Sequence, residues 1–191
     1  GYLYEKLDKF VKDELSVYGD KLELVYNDHF KDYGSGYSLY KGIEAIKESG
    51  DVTFVEGDLF FMASTFKQVY ESAKSVISIN CEPIYSNKAV VLYINADGKP
   101  RYLYDINHQT LTVPEPFEAI FNSGQMWKFA SSEKLLNVVK TLSEKQLQGT
   151  NLEIIQDYFR DMNAEDYDVV TFAEWYNCNT VADYIIVRKL M

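Results

Sequence analysis

Pro114-Glu115-Pro116-Phe117-Glu118-Ala119-Ile120-Phe121 is the stretch on which the fold turns. Before it, apolar residues recur at every second position; from Pro114 onward they recur at three- and four-residue steps. Phe117, Ile120 and Phe121 therefore predict the start of a helix behind Pro116. The change of period sets the expected layout: a single α+β domain over 1–191 with two lobes, a mixed α/β lobe over 1–113 and a mainly helical, acidic lobe over 114–191.

Upstream, Leu3, Leu7, Phe10, Val11 and Leu15 give a surface helix that ends near Gly19, and Leu22, Leu24 and Tyr26 suit a short strand. Leu39, Ile43 and Ile46 share a side of a second helix. Val52–Val55 and Leu59–Met62, split by Glu56-Gly57-Asp58, predict a β-hairpin. Thr65 and Gln68 form a capping-box signature for a helix carrying Phe66, Val69, Tyr70, Ala73, Val76 and Ile77. An antiparallel meander follows: Val90 to Ile94, a turn at Asp97-Gly98, Tyr102 to Ile106, a turn at Asn107-His108, and Leu111 to Val113.

Downstream, a helix starts at Ser131/Ser132 with Leu135, Leu136, Val139 and Leu142 inward. Another, capped by Thr150 and Glu153, carries Leu152, Ile155, Phe159 and Met162. Thr171 and Glu174 repeat the capping signature before Trp175, and Ile185-Ile186-Val187 favours a strand over Val181 to Leu190.

The chain has 191 residues, 47% of them hydrophobic, with 10 Gly and 4 Pro, so it is neither disordered nor fibrous. A net charge of -10 repels phosphate, which argues against direct nucleic-acid binding or docking on anionic lipid. Two distant cysteines, Cys81 and Cys178, fit a reducing compartment, and the expected location is cytoplasmic. The first six residues include charges and no apolar run, so no signal peptide is visible, although Gly1 in place of Met leaves room for a removed leader. Apolar runs are too short for the ~20 residues that cross a bilayer.

No motif assigns a chemistry. His29, among Asp28 and Asp32, and His108, at a turn, lack metal-ligand spacing. Cys81 has no adjacent base, and Cys178 sits between two asparagines. The run Gly36 to Gly42 fails the order of a phosphate loop, and Asp28 with Asp32 fails that of a calcium loop. Asp97-Gly98-Lys99 could belong to a metal-dependent nuclease or hydrolase, with Asp58 or Glu82 as upstream acid and His29 or His108 assisting. Asp-Gly is also a strong hairpin turn, which explains it fully. No catalytic residue, metal or cofactor is assigned.

Charge distribution carries the functional expectation. From 151 to 191 there are eight acids and three bases. Glu153, Asp157 and Asp161 fall at i, i+4 and i+8 as an exposed row, continued by Glu165, Asp166 and Asp168. A basic protein surface, such as that of a nucleic-acid-binding protein, would exploit these six acids. The expectation is a non-enzymatic inhibitor or DNA mimic of the kind phages and mobile elements direct at host defence, with a metal-dependent hydrolase and an immunity or scaffold protein as alternatives.

Overall fold

Phe117–Phe129 is a strand, not a helix, and it is the hub of the molecule. In the computed structural model, which describes residues 1–85, 90–105, 107 and 109–190, the chain is mixed α/β. The helical spacing of Phe117, Ile120 and Phe121 misleads because from Asn122 on the strand is buried continuously, so no period-two alternation marks it.

The elements, in order, are α1 (Tyr4–Glu14), α2 (Ser35–Glu44), β1 (Val52–Val55), β2 (Leu59–Phe61), α3 (Ala63–Glu71), β3 (Ser75–Asn80), β4 (Val91–Asn95), β5 (Pro100–Leu103), β6 (Phe117–Phe129), α4 (Ser132–Lys140), α5 (Glu144–Leu147), α6 (Leu152–Phe159), β7 (Tyr167–Phe172), β8 (Trp175–Asn177) and α7 (Val181–Arg188). Two compact units result: unit 1 comprises residues 1–49 and 133–157, and unit 2 comprises 50–132 and 158–191.

Unit 2 holds a six-stranded mixed sheet in the order β5-β4-β6-β3-β7, with β1 also on β6. β1, β3 and β4 all run antiparallel to β6, whereas β7 runs parallel to β3. β2 leaves this sheet and pairs with β8 as a two-stranded ribbon. The expected hairpin of Val52–Val55 with Leu59–Met62 is thus wrong in pairing though right in its strands. Val69, Val76, Met126, Val170 and Phe172 form a buried cluster, with Val55, Phe61 and Trp175 against it. Phe129 meets Tyr158 edge to face at 4.8 Å, and Trp127 stacks on Phe54 at 5.6 Å.

Other departures have local causes. Val76 and Ile77 belong to β3 because helix α3 stops at Glu71, where Ser72 Oγ accepts the Lys74 N–H at 3.0 Å. Thr65 is buried inside α3, which starts behind extended Met62 without a side-chain cap. Thr171 lies in β7, and no strand forms at Leu22–Tyr26 or Leu111–Val113. Val181–Arg188 is a helix despite its β-branched residues. The Thr180 hydroxyl accepts the Asp183 N–H at 3.2 Å, and Asp183 accepts the Thr180 N–H at 2.8 Å, a reciprocal cap that outweighs local strand preference. The Asp97-Gly98 turn forms as expected, with Gly98 at φ +73°.

Unit 1 contains α1, α2, α5 and most of α4 and α6. Gly34 and Gly36 bring α2 against the backbone of 148–150; a Cβ on Gly34 would lie 2.2 Å from the Gly149 carbonyl oxygen. Ser143 caps α5 through a capping box with Gln146. Among the described residues no helix is long and apolar enough to cross a membrane.

Candidate functional site at a break in the ladder of the central strand

β6 is paired along one edge by β3. Along its other edge β4 covers Phe117 to Asn122 and β1 covers Met126 to Phe129. Between them this edge is interrupted: Val55 ends β1 opposite Met126, Val91 begins β4 opposite Asn122, and the Ser123 N–H reaches the Val90 carbonyl at 2.8 Å. Ser123, Gly124 and Gln125 span the break.

The opposite edge is irregular at the same place, where the register with β3 jumps between Ile77 and Ile79. Ser78 replaces the missing ladder bonds: its Oγ donates to the Met126 carbonyl at 2.6 Å and accepts the Met126 N–H at 3.0 Å. Gly124 is required by this closeness, because a Cβ there would sit 2.6 Å from Ser78 Oγ. Gln125 has φ +56°, a conformation that costs a residue with a Cβ of the order of ~1 kcal/mol or more and tends to persist at functional positions. The Ser123 hydroxyl steadies it by accepting the Gln125 N–H at 3.1 Å.

Polar side chains converge here. Asn80 Nδ2 donates to the Ser123 carbonyl at 2.7 Å, and Trp175 Nε1 donates to the Gly124 carbonyl at 2.8 Å. Asn177 Nδ2 donates to Gln125 Oε1 at 3.4 Å, which leaves the carbonyl side of the Asn177 amide. That oxygen is buried and, among the described residues, has no hydrogen-bond partner. Leaving such an acceptor unpaired costs ~1–3 kcal/mol, so its position calls for a donor or cation from a ligand.

β1, β3 and β7 run in one direction and end here, at Val55, Asn80 and Phe172. The carboxyl ends of such strands are the usual ligand side of α/β sheets. Glu56, Gly57 and Asp58 follow β1, and the Asp58 carbonyl accepts the Cys178 N–H at 2.7 Å, which anchors the start of β2 beside the end of β8. The Tyr104 phenol is pushed up by burial and further by Glu56 and Asp105, so it stays protonated at neutral pH.

The helical row of acids read from the sequence is shorter than expected. α6 ends at Phe159, so Asp161 is not on that helix, and the row stops after Glu153 and Asp157. Asp157 accepts from Gln146 Nε2 at 3.2 Å within unit 1. Asp161, Glu165, Asp166 and Asp168 belong to unit 2. Asp166 caps the Asn163 N–H at 2.7 Å, and Asp168 accepts from Ser72 Oγ at 2.7 Å with Lys74 Nζ 3.8 Å away.

The nuclease alternative loses its parts as well. Asp97 is on the exposed hairpin tip, and Lys99 is tied to Asn163 and the Asp161 carbonyl. His29, in unit 1, bonds Asp32 at 3.1 Å and stacks on Tyr33. His108 lies outside the described residues, as does Ile106. Both thiols are free, and among the described residues no group of three His, Cys, Asp or Glu could hold a metal. Gln125, Trp175 and Asn177 were not singled out from sequence. No local sequence signal marked them, since the site is made by pairing between distant segments.

The fold resembles that of solved nucleotidyltransferases and sugar-nucleotide pyrophosphorylases. A UDP-glucose pyrophosphorylase solved with UDP-glucose matches with TM-score 0.62 and 10% identity, over 98% of this chain and 72% of that one. A nucleoside-diphosphate-sugar pyrophosphorylase from Vibrio cholerae matches with TM-score 0.59 and 12% identity over 98% and 78%. The CTP:phosphocholine cytidylyltransferase of Streptococcus pneumoniae matches with TM-score 0.57 and 15% identity over 100% and 75%. At these identities the likeness is one of fold. The chain belongs to the family described as Domain of unknown function (DUF6564), whose model matches residues 1–191. No curated protein matches it. The likeness to transferase folds overturns the acidic inhibitor and DNA-mimic expectation, together with its hydrolase and immunity alternatives.

Proposed function

We propose that this chain is a nucleotidyltransferase-like domain whose break in the β6 ladder binds a nucleotide or a nucleotide-linked sugar. One observation carries the reading: the buried, unpartnered Asn177 carbonyl beside strained Gln125, at the strand ends where a fold of this kind takes ligands. A sugar hydroxyl or a base amine would supply the missing donor. Trp175 is held by its bond to Gly124 and keeps the wall of the site in place.

The residues named at the break are neutral or acidic, so a polyphosphate would have to arrive with its own counter-charge. Mg2+ suits this, because it binds through one or two carboxylates plus phosphate oxygens and keeps several waters. Asp58 is a hard oxygen donor at the start of the ribbon and fits such an ion; bound there, the metal would neutralise phosphate charge. The chain's own contribution is to orient the ligand through Asn177 and Gln125 and to hold the site on a rigid strand.

Thermal unfolding with UDP-glucose, CTP, UTP and dTTP, with and without Mg2+, tests the proposal. At a hundred-fold excess over Kd a bound ligand adds ~2.7 kcal/mol, which raises Tm by roughly 5–10 °C in a chain of this size. The rise should vanish in Asn177→Ala, and the Mg2+ requirement should change in Asp58→Asn. No rise with any of the four at millimolar concentration overturns the proposal.

A further inference from the structure

We propose that α1 is a docking surface for a second copy of this chain, with the two α1 helices antiparallel. α1 contributes no fully buried residue to unit 1, and Leu3, Leu7 and Phe10 remain 45%, 50% and 50% exposed. Leu7 and Phe10 lie about one turn apart as an apolar stripe on α1, with Leu3 just ahead of the helix at φ +54°, and the stripe adjoins the face that carries half-buried Tyr4 and Val11. A contiguous apolar stripe with a charged rim on a soluble protein marks an interaction surface.

The rim identifies the occupant. Lys6 and Asp13 sit on the same flank of the stripe, two turns and about 10.5 Å apart. Lys6, Lys9, Phe10, Asp13 and Glu14 line one shallow groove, basic at its amino end and acidic at its carboxyl end. Among the described residues, none of its four charges is in an ion pair. Lys12 and Asp8, by contrast, satisfy each other at 2.6 Å elsewhere on the helix.

A strip with opposite charges at its two ends complements itself when a copy is turned end for end. In an antiparallel pair each flank faces the same flank of its partner, so Lys6 of one copy meets Asp13 of the other, twice, about a dyad near Lys9 and Phe10. A parallel pair would oppose like charges, and a wholly acidic or basic partner would match only half the groove. The twofold arrangement also closes on itself, so it yields a dimer and not a filament. The apolar part is small, which places the contact among weak interfaces with dissociation constants on the order of 10–100 micromolar.

Sedimentation velocity of the full chain across that concentration range tests this, with circular dichroism confirming that each variant is folded. Wild type should dimerise reversibly, and Phe10→Asp, at a half-exposed position, should be monomeric throughout. Lys6→Glu and Asp13→Lys should each weaken association by about tenfold, since each turns two attractive contacts repulsive, and the double variant should restore it. A wild type that stays monomeric, or a dimer that Phe10→Asp leaves intact, overturns the proposal. A dimer lost in both single charge variants and not restored in the double overturns the antiparallel register. None of these outcomes depends on nucleotide binding, so the site in unit 2 stands or falls separately.

Discussion

The two units, taken one at a time, use their aromatic residues differently. Unit 2 is built on a strand paired along both edges, and Trp127, Phe129, Tyr158, Phe159 and Phe172 are almost completely buried within it. Unit 1 has a helix with no buried residue and a half-exposed cluster of His29, Tyr33, Tyr37 and Tyr40, whose rings touch at 4.3 to 5.6 Å. Its phenols lean on carboxylates: Tyr37 on Asp28 at 3.2 Å and Tyr40 on Glu44 at 2.6 Å, the latter bond pushing the Tyr40 phenol up to about 12. Unit 1 also removes apolar area from water, through Ile43, Leu135, Ile154 and Ile155, and differs in the layer of solvent-screened contacts it carries in addition. The 16 tyrosines thus have two separate uses: Tyr102 and Tyr158 are core residues with a polar tip, while Tyr37 and Tyr40 clad a surface.

The contrast can be broken most sharply at Trp127. Trp127→Ala should destabilise by about 3–5 kcal/mol in urea unfolding, because it removes a fully buried ring together with its stacking on Phe54 and its bond to Tyr102 at 2.8 Å. A loss below ~1 kcal/mol would mean that unit 2 has no dominant dry core.

Tyr93 gives a middle-sized effect with a pH signature. Burial first, and Glu115 at 3.0 Å second, push its phenol up to about 12. An unfolded tyrosine titrates near ~10, so the folded chain holds this proton more tightly. The stabilisation is complete below pH 10 and is lost as pH rises from 10 towards 12. Tyr93→Phe should cost about 1.5 kcal/mol at neutral pH and flatten the decline of Tm across that window. An equally steep decline in the variant would assign it to other tyrosines.

The smallest effect belongs to unit 1. Ser143→Ala removes the capping box of α5 and should cost about 1 kcal/mol, seen as a small drop in Tm. A loss as large as that at Trp127 would place α5 among the main supports of its unit and erase the contrast.

Legibility in the sequence followed the same division. Amphipathic surface helices such as α1, α2 and α4 announce themselves, because one face meets water and the period shows. β6 and β3 do not, because strands buried on both faces lose their alternation. In β6 the polar run Asn122-Ser123-Gly124-Gln125 carries no strand pattern, yet it is buried and satisfied by Ser78, Asn80 and Trp175 from distant positions. Asp58 was named from the sequence only as one of two possible upstream acids of a nuclease, and nothing local preferred it to Glu82. Asn177 draws attention only through an oxygen without a partner, and that is a property of the folded chain. The acidic row had the opposite fault: a spacing legible in the sequence was cut when α6 ended at Phe159.

That β1, β3 and β4 all depend on β6 also affects how the chain is made. Val55 meets Met126 about seventy residues later, an interval of roughly 4–14 s at cellular elongation rates. Until β6 has left the ribosome, three strands wait with open hydrogen-bonding edges, and unit 1 is still missing its second segment, 133–157. Unit 1 has all its residues only once residue 157 has emerged, and unit 2 only after 158–191. The nascent polypeptide therefore passes through a long, sticky interval in which chaperone cover matters most, and synonymous codons that slow elongation between β4 and β6 should lower soluble yield without changing a single residue.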